Sequence, residues 1–97
     1  MLKIKAKIYL YQYKARKTPF NSGYRPLFNF ENDIKISGNI ELINTDLFYP
    51  GLQDEVFITF ISDSVSKNDI KLDTIFSFDE GLNILGEGQV VEVIKYH

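Results

Sequence analysis

The segment Arg16–Phe30 restricts the backbone more than any other part of this chain. Pro19 and Pro26 fix their own φ and bias the residue before each of them toward extended geometry. Gly23 lies between the prolines and can adopt a positive φ at low cost. Residues 28–30 then place a polar residue between two aromatic ones. The segment therefore predicts an ordered loop that leads into a half-buried strand.

The beginning of the chain, residues 1–13, alternates between two kinds of side chain. A period of two over this length indicates a strand with one buried face. The face expected to be buried carries Leu2, Ile4, Ala6, Ile8 and Leu10. The opposite face carries Lys3, Lys5, Lys7, Tyr9 and Tyr11.

Further strands are predicted by the same alternation and by β-branched residues. They cover residues 25–30, 34–42, 55–61, 70–78 and the segment after Glu80-Gly81. Pro50-Gly51 suits the centre of a type II turn, and Gly38 marks a bulge or a close approach. Gly86 and Gly88 leave one face of the last strand empty, which favours a barrel corner or a neighbouring backbone. No stretch shows a helical period over three turns, so an all-β domain of six strands is expected.

Composition excludes several classes of protein. The chain has 97 residues and no cysteine, which predicts one domain without disulfides or thiolate metal sites. Its formal net charge of −2 argues against a dedicated nucleic-acid binder but leaves room for a local basic patch. No apolar run approaches the roughly 20 residues of a membrane helix, and the start is no signal peptide. We expect a cytoplasmic protein without membrane contact.

Catalytic and cofactor chemistry is missing from the sequence. Gly86-Glu87-Gly88 falls inside a predicted strand and lacks the pattern of a phosphate-binding loop. The single histidine is His97, so no histidine triad or multi-histidine site can form. The oxygen-rich segment 62–69 lacks the glycine and closing glutamate of a calcium loop and is expected to be a solvated loop. We therefore expect no enzyme, no metal, no cofactor and no nucleotide bound by this chain alone.

The segment Arg16–Phe30 closely resembles a loop and strand in the third, C-terminal domain of bacterial translation elongation factor Tu. The positions that match the family in identity and spacing are Arg16, Thr18, Pro19, Phe20, Gly23, Tyr24, Arg25, Pro26, Phe28 and Phe30. Residues 4–10, 36–42, 50–51 and 79–91 resemble the family in the same order. Lys17 and Leu27 depart from it, since the family has histidine and glutamine there. The resemblance implies a closed six-stranded antiparallel Greek-key barrel over residues 1–97, here as a stand-alone protein.

The resemblance also implies a tRNA-binding site. Its candidates are Arg16, Lys17, Ser37, Glu80 and Gly81, which would contact phosphates, sugars and 2′-hydroxyls of the acceptor and T-stem. The alternative is that Arg16, Glu80 and Gly81 build the loops. Leu27 replaces an amide with an apolar group, which would weaken an RNA contact. An RNA site predicts Leu27 at the rim of a basic patch, whereas a protein site predicts it inside an apolar one.

Other surfaces offer further hypotheses. The face with Lys3, Lys5, Lys7, Tyr9 and Tyr11 resembles a platform for single-stranded RNA, or else a solvated edge strand. Phe48 and Tyr49 either contact a protein or close one end of the barrel. The expected function is a non-catalytic binding module that contacts tRNA or a translation-factor protein. The alternative is a protein-interaction module that has left translation and imitates the elongation factor toward its partners.

Overall fold

The computed structural model describes residues 1–13, 16–31, 33–61 and 69–96. Within these ranges the chain forms only strands, turns and bends, so the all-β class is confirmed. The strands are β1 (Leu2–Leu10), β2 (Leu27–Phe30), β3 (Ile34–Ser37), β4 (Asn39–Leu42), β5 (Gln53–Phe60), β6 (Ile75–Asp79) and β7 (Ile84–Tyr96).

All seven strands belong to one antiparallel sheet with the order β3-β2-β6-β7-β1-β5-β4. The sheet curls into a half-barrel. Its two outermost strands, β3 and β4, follow each other in sequence and are separated only by Gly38. The predicted strand 34–42 is therefore divided at Gly38, which is why the structure has seven strands where the sequence predicted six.

β1 lies in the interior of the sheet, where it pairs with both β5 and β7. The predicted alternation is confirmed, because Leu2, Ile4, Ala6, Ile8 and Leu10 are all buried. The interpretation of the lysine-bearing face as an edge strand is wrong, since both sides of β1 are occupied by ladder partners. The lysines of β1 thus lie on the solvent face of a central strand.

Phenylalanine rings fill the space above the glycines of the core. A Cβ at Gly38 would lie 2.7 Å from the ring of Phe60 and 2.9 Å from that of Phe28. A Cβ at Gly88 would likewise lie 2.6 Å from the ring of Phe76. The predicted close approaches at Gly38, Gly86 and Gly88 are confirmed, and aromatic rings account for most of them. The glycines are required because a side chain there would displace the core.

The aromatic core has Phe28 at its centre. The Phe28 ring lies 5.3 Å from Phe60, 5.6 Å from Phe76 and 5.9 Å from Phe78, measured between centroids. Phe30 contacts two of the same rings. Edge-to-face and tilted arrangements of this kind add stabilisation beyond the burial of apolar area. The rings come from β2, β5 and β6, so the cluster joins both halves of the sheet.

Two loop predictions have different outcomes. The type II turn is confirmed, because Leu52 N–H donates to the carbonyl of Tyr49 at 3.0 Å and Gly51 has φ 91°.

The predicted strand 70–78 begins only at Ile75. Residues 71–74 form a turn instead, in which Thr74 N–H donates to Lys71 and Asp73 has φ 70°. Residues 62–68, most of the segment expected to be a solvated loop, lie outside the described residues.

We predict that Gly86→Ala lowers the free energy of unfolding by about 3 kcal/mol, because its methyl group would overlap the Tyr9 carbonyl and the Phe78 ring. Urea denaturation measures the change. Gly23→Ala is the matched control, since Gly23 has open space around it and only its φ of 99° opposes a side chain. The control should cost about 1–2 kcal/mol. An alanine at position 86 that costs no more than the control would contradict this packing.

Candidate functional site

The loop that precedes β2 is fastened to the end of the sheet by backbone hydrogen bonds. Phe20 and Phe48 exchange two of them, at 3.1 and 2.8 Å. Gly23 N–H donates to Ile40, and Ile40 N–H donates to Tyr24, both at 2.9 Å. The loop is therefore ordered at the described residues, as its prolines and glycine predicted.

A column of stacked groups runs from the surface to the core at this end. The guanidinium of Arg16 lies 4.7 Å from the centroid of the Tyr24 ring. Tyr24 stacks on Phe20 at 4.5 Å, and Phe20 stacks on the fully buried Phe48 at 5.1 Å. Of the alternatives for Phe48, the structure supports the one in which it closes the end of the sheet. Tyr49 is exposed.

Arg16 is engaged by the protein itself at every guanidinium nitrogen. Nη1 donates to Glu80 Oε1 at 2.6 Å, Nε donates to the Thr18 carbonyl at 2.9 Å and Nη2 to the Pro19 carbonyl at 3.1 Å. The Tyr24 hydroxyl donates to the same Glu80 oxygen. Burial and this hydrogen bond raise the pKa of Tyr24, so the phenol stays protonated. Arg16 and Glu80 thus join the loop to the β6–β7 turn.

Asp79 is the buried carboxylate that holds the β6–β7 turn in place. Its Oδ1 accepts the Gly81 N–H at 2.7 Å, and its Oδ2 accepts Asn29 Nδ2 at 2.7 Å and Lys35 Nζ at 3.1 Å. Burial alone would raise the pKa of Asp79, but these hydrogen bonds and the Lys35 charge together hold it below its ordinary value. Sequence reasoning missed Asp79, although its place directly before Glu80-Gly81 is typical of an Asx turn.

The register of the sheet brings the predicted tRNA-site residues to one end of the molecule. Leu27 pairs with Ser37 on one side and with Asp79 on the other. The turn with Glu80 and Gly81 follows Asp79, and Arg16 contacts Glu80. Neighbouring strands lie about 4.8 Å apart, so Ser37, Leu27 and Asp79 form a row across β3, β2 and β6. Lys17 follows Arg16 in the chain, and Arg25 lies two residues before Leu27. We call the exposed or half-exposed residues of this region, Lys17, Arg25, Leu27, Ser37 and Gly81, the end strip.

The charges of the end strip come from Lys17 and Arg25. Both side chains are exposed, and neither belongs to an ion pair among the described residues. Lys35 lies nearby but is paired with Asp79. Arg25 lines a shallow hollow of about 170 Å³ together with Ser37, Asn39 and Thr59. The hollow is also lined by Ile36 and Ile61, so it combines a guanidinium, two hydroxyls and an amide, which suit an anionic or sugar-like ligand, with apolar side chains.

The outer face of β1 has a mixed charge. Lys5 Nζ lies 3.5 Å from Glu55 Oε1, and the Lys3 ammonium lies 4.6 Å from the centroid of the Phe57 ring. The Tyr11 hydroxyl donates to Glu87 at 3.0 Å, and burial together with this bond raises the pKa of Tyr11. Lys7 and Tyr9 line an open groove of about 400 Å³ with Glu87. Acidic neighbours thus offset much of the positive charge that the sequence pattern indicated.

Exposed apolar side chains lie beside the end strip. Leu82 is 93% exposed in the β6–β7 turn, and Ile84 is 48% exposed at the start of β7. The exposure of this pair could not be predicted from the sequence, because an apolar residue in or next to a short turn can point inward or outward. Leu27 itself is half-buried, its cross-strand partners are Ser37 and Asp79, and Asp79 pairs on its other side with Ile84.

A comparison with known protein families finds no family model that matches this chain. Among the described residues there is no group of acidic or histidine side chains that could hold a metal ion. The same residues include no helix with the length and hydrophobicity needed to span a membrane.

We predict that Asp79→Asn lowers the free energy of unfolding by about 2 kcal/mol at pH 7, because charged hydrogen bonds to a buried group are lost. The folded-state pKa of Asp79 is lowered, so its stabilisation is complete above the ordinary value of 3.8. As the pH falls through the folded-state pKa, this stabilisation is lost and the difference between wild type and variant shrinks. Denaturant unfolding of both proteins between pH 7 and pH 2 measures this difference in the free energy of unfolding.

The control for this prediction is Glu41→Gln, which removes a carboxylate from an exposed position in β4. Its effect should stay within about 0.5 kcal/mol at every pH. An Asp79→Asn difference that remains constant across the pH range would contradict the assigned role of the carboxylate.

Proposed function

We propose that this chain is a non-catalytic RNA-binding module of the kind that the third domain of elongation factor Tu represents, and that it contacts the acceptor and T-stem of tRNA. In this proposal the half-barrel closes into a six-stranded Greek-key barrel. The short connection between β3 and β4 supports closure. These two strands lie at opposite edges of the sheet and are separated only by Gly38, so together they can act as one strand that joins the two edges. The module would act in the cytoplasm without a cofactor or nucleotide of its own.

The observation that carries this proposal is the environment of Leu27. Its cross-strand partners are the exposed Ser37 and the buried carboxylate Asp79, and the exposed Arg25 precedes it by two residues. Leu27 therefore lies at the rim of a polar, partly basic strip, which is the arrangement that favours RNA. A protein-binding site at the same place would be expected to surround Leu27 with apolar side chains.

Within the end strip, different groups have different roles toward RNA. Arg25 can donate two parallel hydrogen bonds to a phosphate, and Lys17 can act as a point charge. The Ser37 hydroxyl and the exposed backbone at Gly81 suit sugar and 2′-hydroxyl contacts. Arg16 and Glu80 position these groups rather than contact the RNA, because their charges neutralise each other at 2.6 Å.

Lys17 and Arg25, which lie outside the ion pairs of the described residues, limit the electrostatic part of the affinity. Each phosphate contact contributes about 1 to the slope of log K against log salt, so the slope for the wild-type chain should be about −2. Arg25→Ala should reduce it to about −1 and weaken binding about tenfold at low salt. Titration of an acceptor–T-stem RNA at several salt concentrations, followed by fluorescence anisotropy, measures both quantities.

The matched control is Lys7→Ala, because Lys7 is also exposed and outside any ion pair of the described residues, but lies on β1. It should leave the slope unchanged. A slope that changes with Lys7→Ala and not with Arg25→Ala would contradict the end strip and support the platform on β1. Arg16→Ala is unsuitable as a test, because it also removes the contacts that order the loop.

A second candidate function is a protein-interaction module that has left translation and imitates the elongation factor toward its partners. The observation that favours it is the exposure of Leu82 and Ile84 beside Gly81. One variant, Leu82→Ser, distinguishes the two functions. If the end strip binds RNA, this variant should bind RNA with unchanged affinity. Loss of binding to a translation factor in this variant, with no RNA binding by the wild type, would favour the second function.

A further inference from the structure

One edge of β7 is open along its C-terminal half. β6 pairs with β7 from Asp79 opposite Ile84 to Ile75 opposite Gln89, and Val90 still exchanges hydrogen bonds with residues 73 and 74. Beyond Val90 the strand continues to Tyr96 and pairs with β1 on its other side. Among the described residues none pairs with this part of β7 on the β6 side. The segment Val91–Lys95, which we call the β7 edge, therefore has backbone groups available for another strand.

The composition of the β7 edge favours strand addition. Val91, Val93 and Ile94 are β-branched, and Val93 and Ile94 are 37% and 40% exposed. Exposed β-branched residues on an open edge are a ready template for β-augmentation. The edge carries only Glu92 and Lys95 as charged residues.

A bulge places these two charges on the same face of the sheet. Glu92 pairs with Lys5 and Lys95 pairs with Lys3, and the side chains at positions 3 and 5 of β1 point to the outer face. The register shifts between Lys3 and Ile4, so one residue of β7 is inserted there and Glu92 and Lys95 both face outward. Glu92 and Lys95 are three positions apart, so in a regular strand their side chains would point to opposite faces of the sheet.

Lys95 lies opposite a like charge in the β1–β7 ladder, that of Lys3, whose ammonium also lies 4.6 Å from the centroid of the Phe57 ring. Like charges directly opposite each other are destabilising. Among the described residues, neither lysine belongs to an ion pair. A carboxylate on the open side of β7 would relieve this repulsion.

We propose that the β7 edge pairs with the β7 edge of a second copy of this chain, antiparallel and about a twofold axis. In this register Glu92 of each copy lies opposite Lys95 of the other, and Val93 lies opposite Ile94. The pairing is self-complementary, as a twofold interface requires, and forms two intermolecular ion pairs. It extends the sheet across both chains. The end strips lie beyond the other end of β7, so they stay free.

The interface is small, so we expect a weak dimer with a dissociation constant in the micromolar range or higher. Sedimentation velocity of the full chain from about 10 µM to 1 mM measures the equilibrium. Glu92→Lys and Lys95→Glu should each give a monomer, because each puts like charges opposite one another. The double variant with both substitutions restores opposite charges and should restore the dimer to within about threefold of the wild-type dissociation constant.

Circular dichroism and thermal unfolding of each variant confirm that the fold is kept. Should one single variant fail to fold, the other single variant and the double variant still test the pairing. A wild-type chain that stays monomeric over the whole range would overturn the proposal. A dimer that survives both single substitutions, or one that the double variant does not restore, would overturn it as well.

Discussion

The structure depends on aromatic rings that occupy the space which glycines leave free. Gly38, Gly86 and Gly88 face the interior, and the rings of Phe28, Phe60, Phe76 and Phe78 lie where their side chains would be. This packing lets β7 approach β1 closely, and at Gly38 the chain passes from β3 at one edge of the sheet to β4 at the other. The curvature in turn carries β2, β3 and the β6–β7 turn to the same end of the molecule.

Charged groups at this end divide into those that build the structure and those that remain free. Arg16 is neutralised by Glu80, and Lys35 by Asp79. Each pair orders a segment and leaves little net charge for a ligand. Lys17 and Arg25 are exposed and outside the ion pairs of the described residues. In the proposed RNA-binding function, Lys17 and Arg25 supply the charge that attracts phosphate, although the formal net charge of the chain is −2.

The period-two pattern predicted the fold class, the buried face of β1 and the turn at Pro50-Gly51, because these features depend on nearby residues. The predictions from this pattern were wrong or incomplete where contacts between distant parts of the chain determine the structure. It extended a strand back to Ile70, although Asp73 has a positive φ, and it could not show that β1 is central. For the site, the resemblance indicated which residues gather at one end. It could not show that Arg16 is already engaged, since its partner Glu80 is 64 residues away.

The central claim is that the end strip is the RNA-binding surface. Amide chemical shifts of ¹⁵N-labelled protein, followed while an acceptor–T-stem RNA is added at low salt, test it most directly. The account predicts that the shifts concentrate at Lys17, Arg25, Ser37 and Gly81, and that they reverse when salt is added. Shifts confined to the lysines of β1 or to Leu82 and Ile84, or no shifts at low salt, would contradict it.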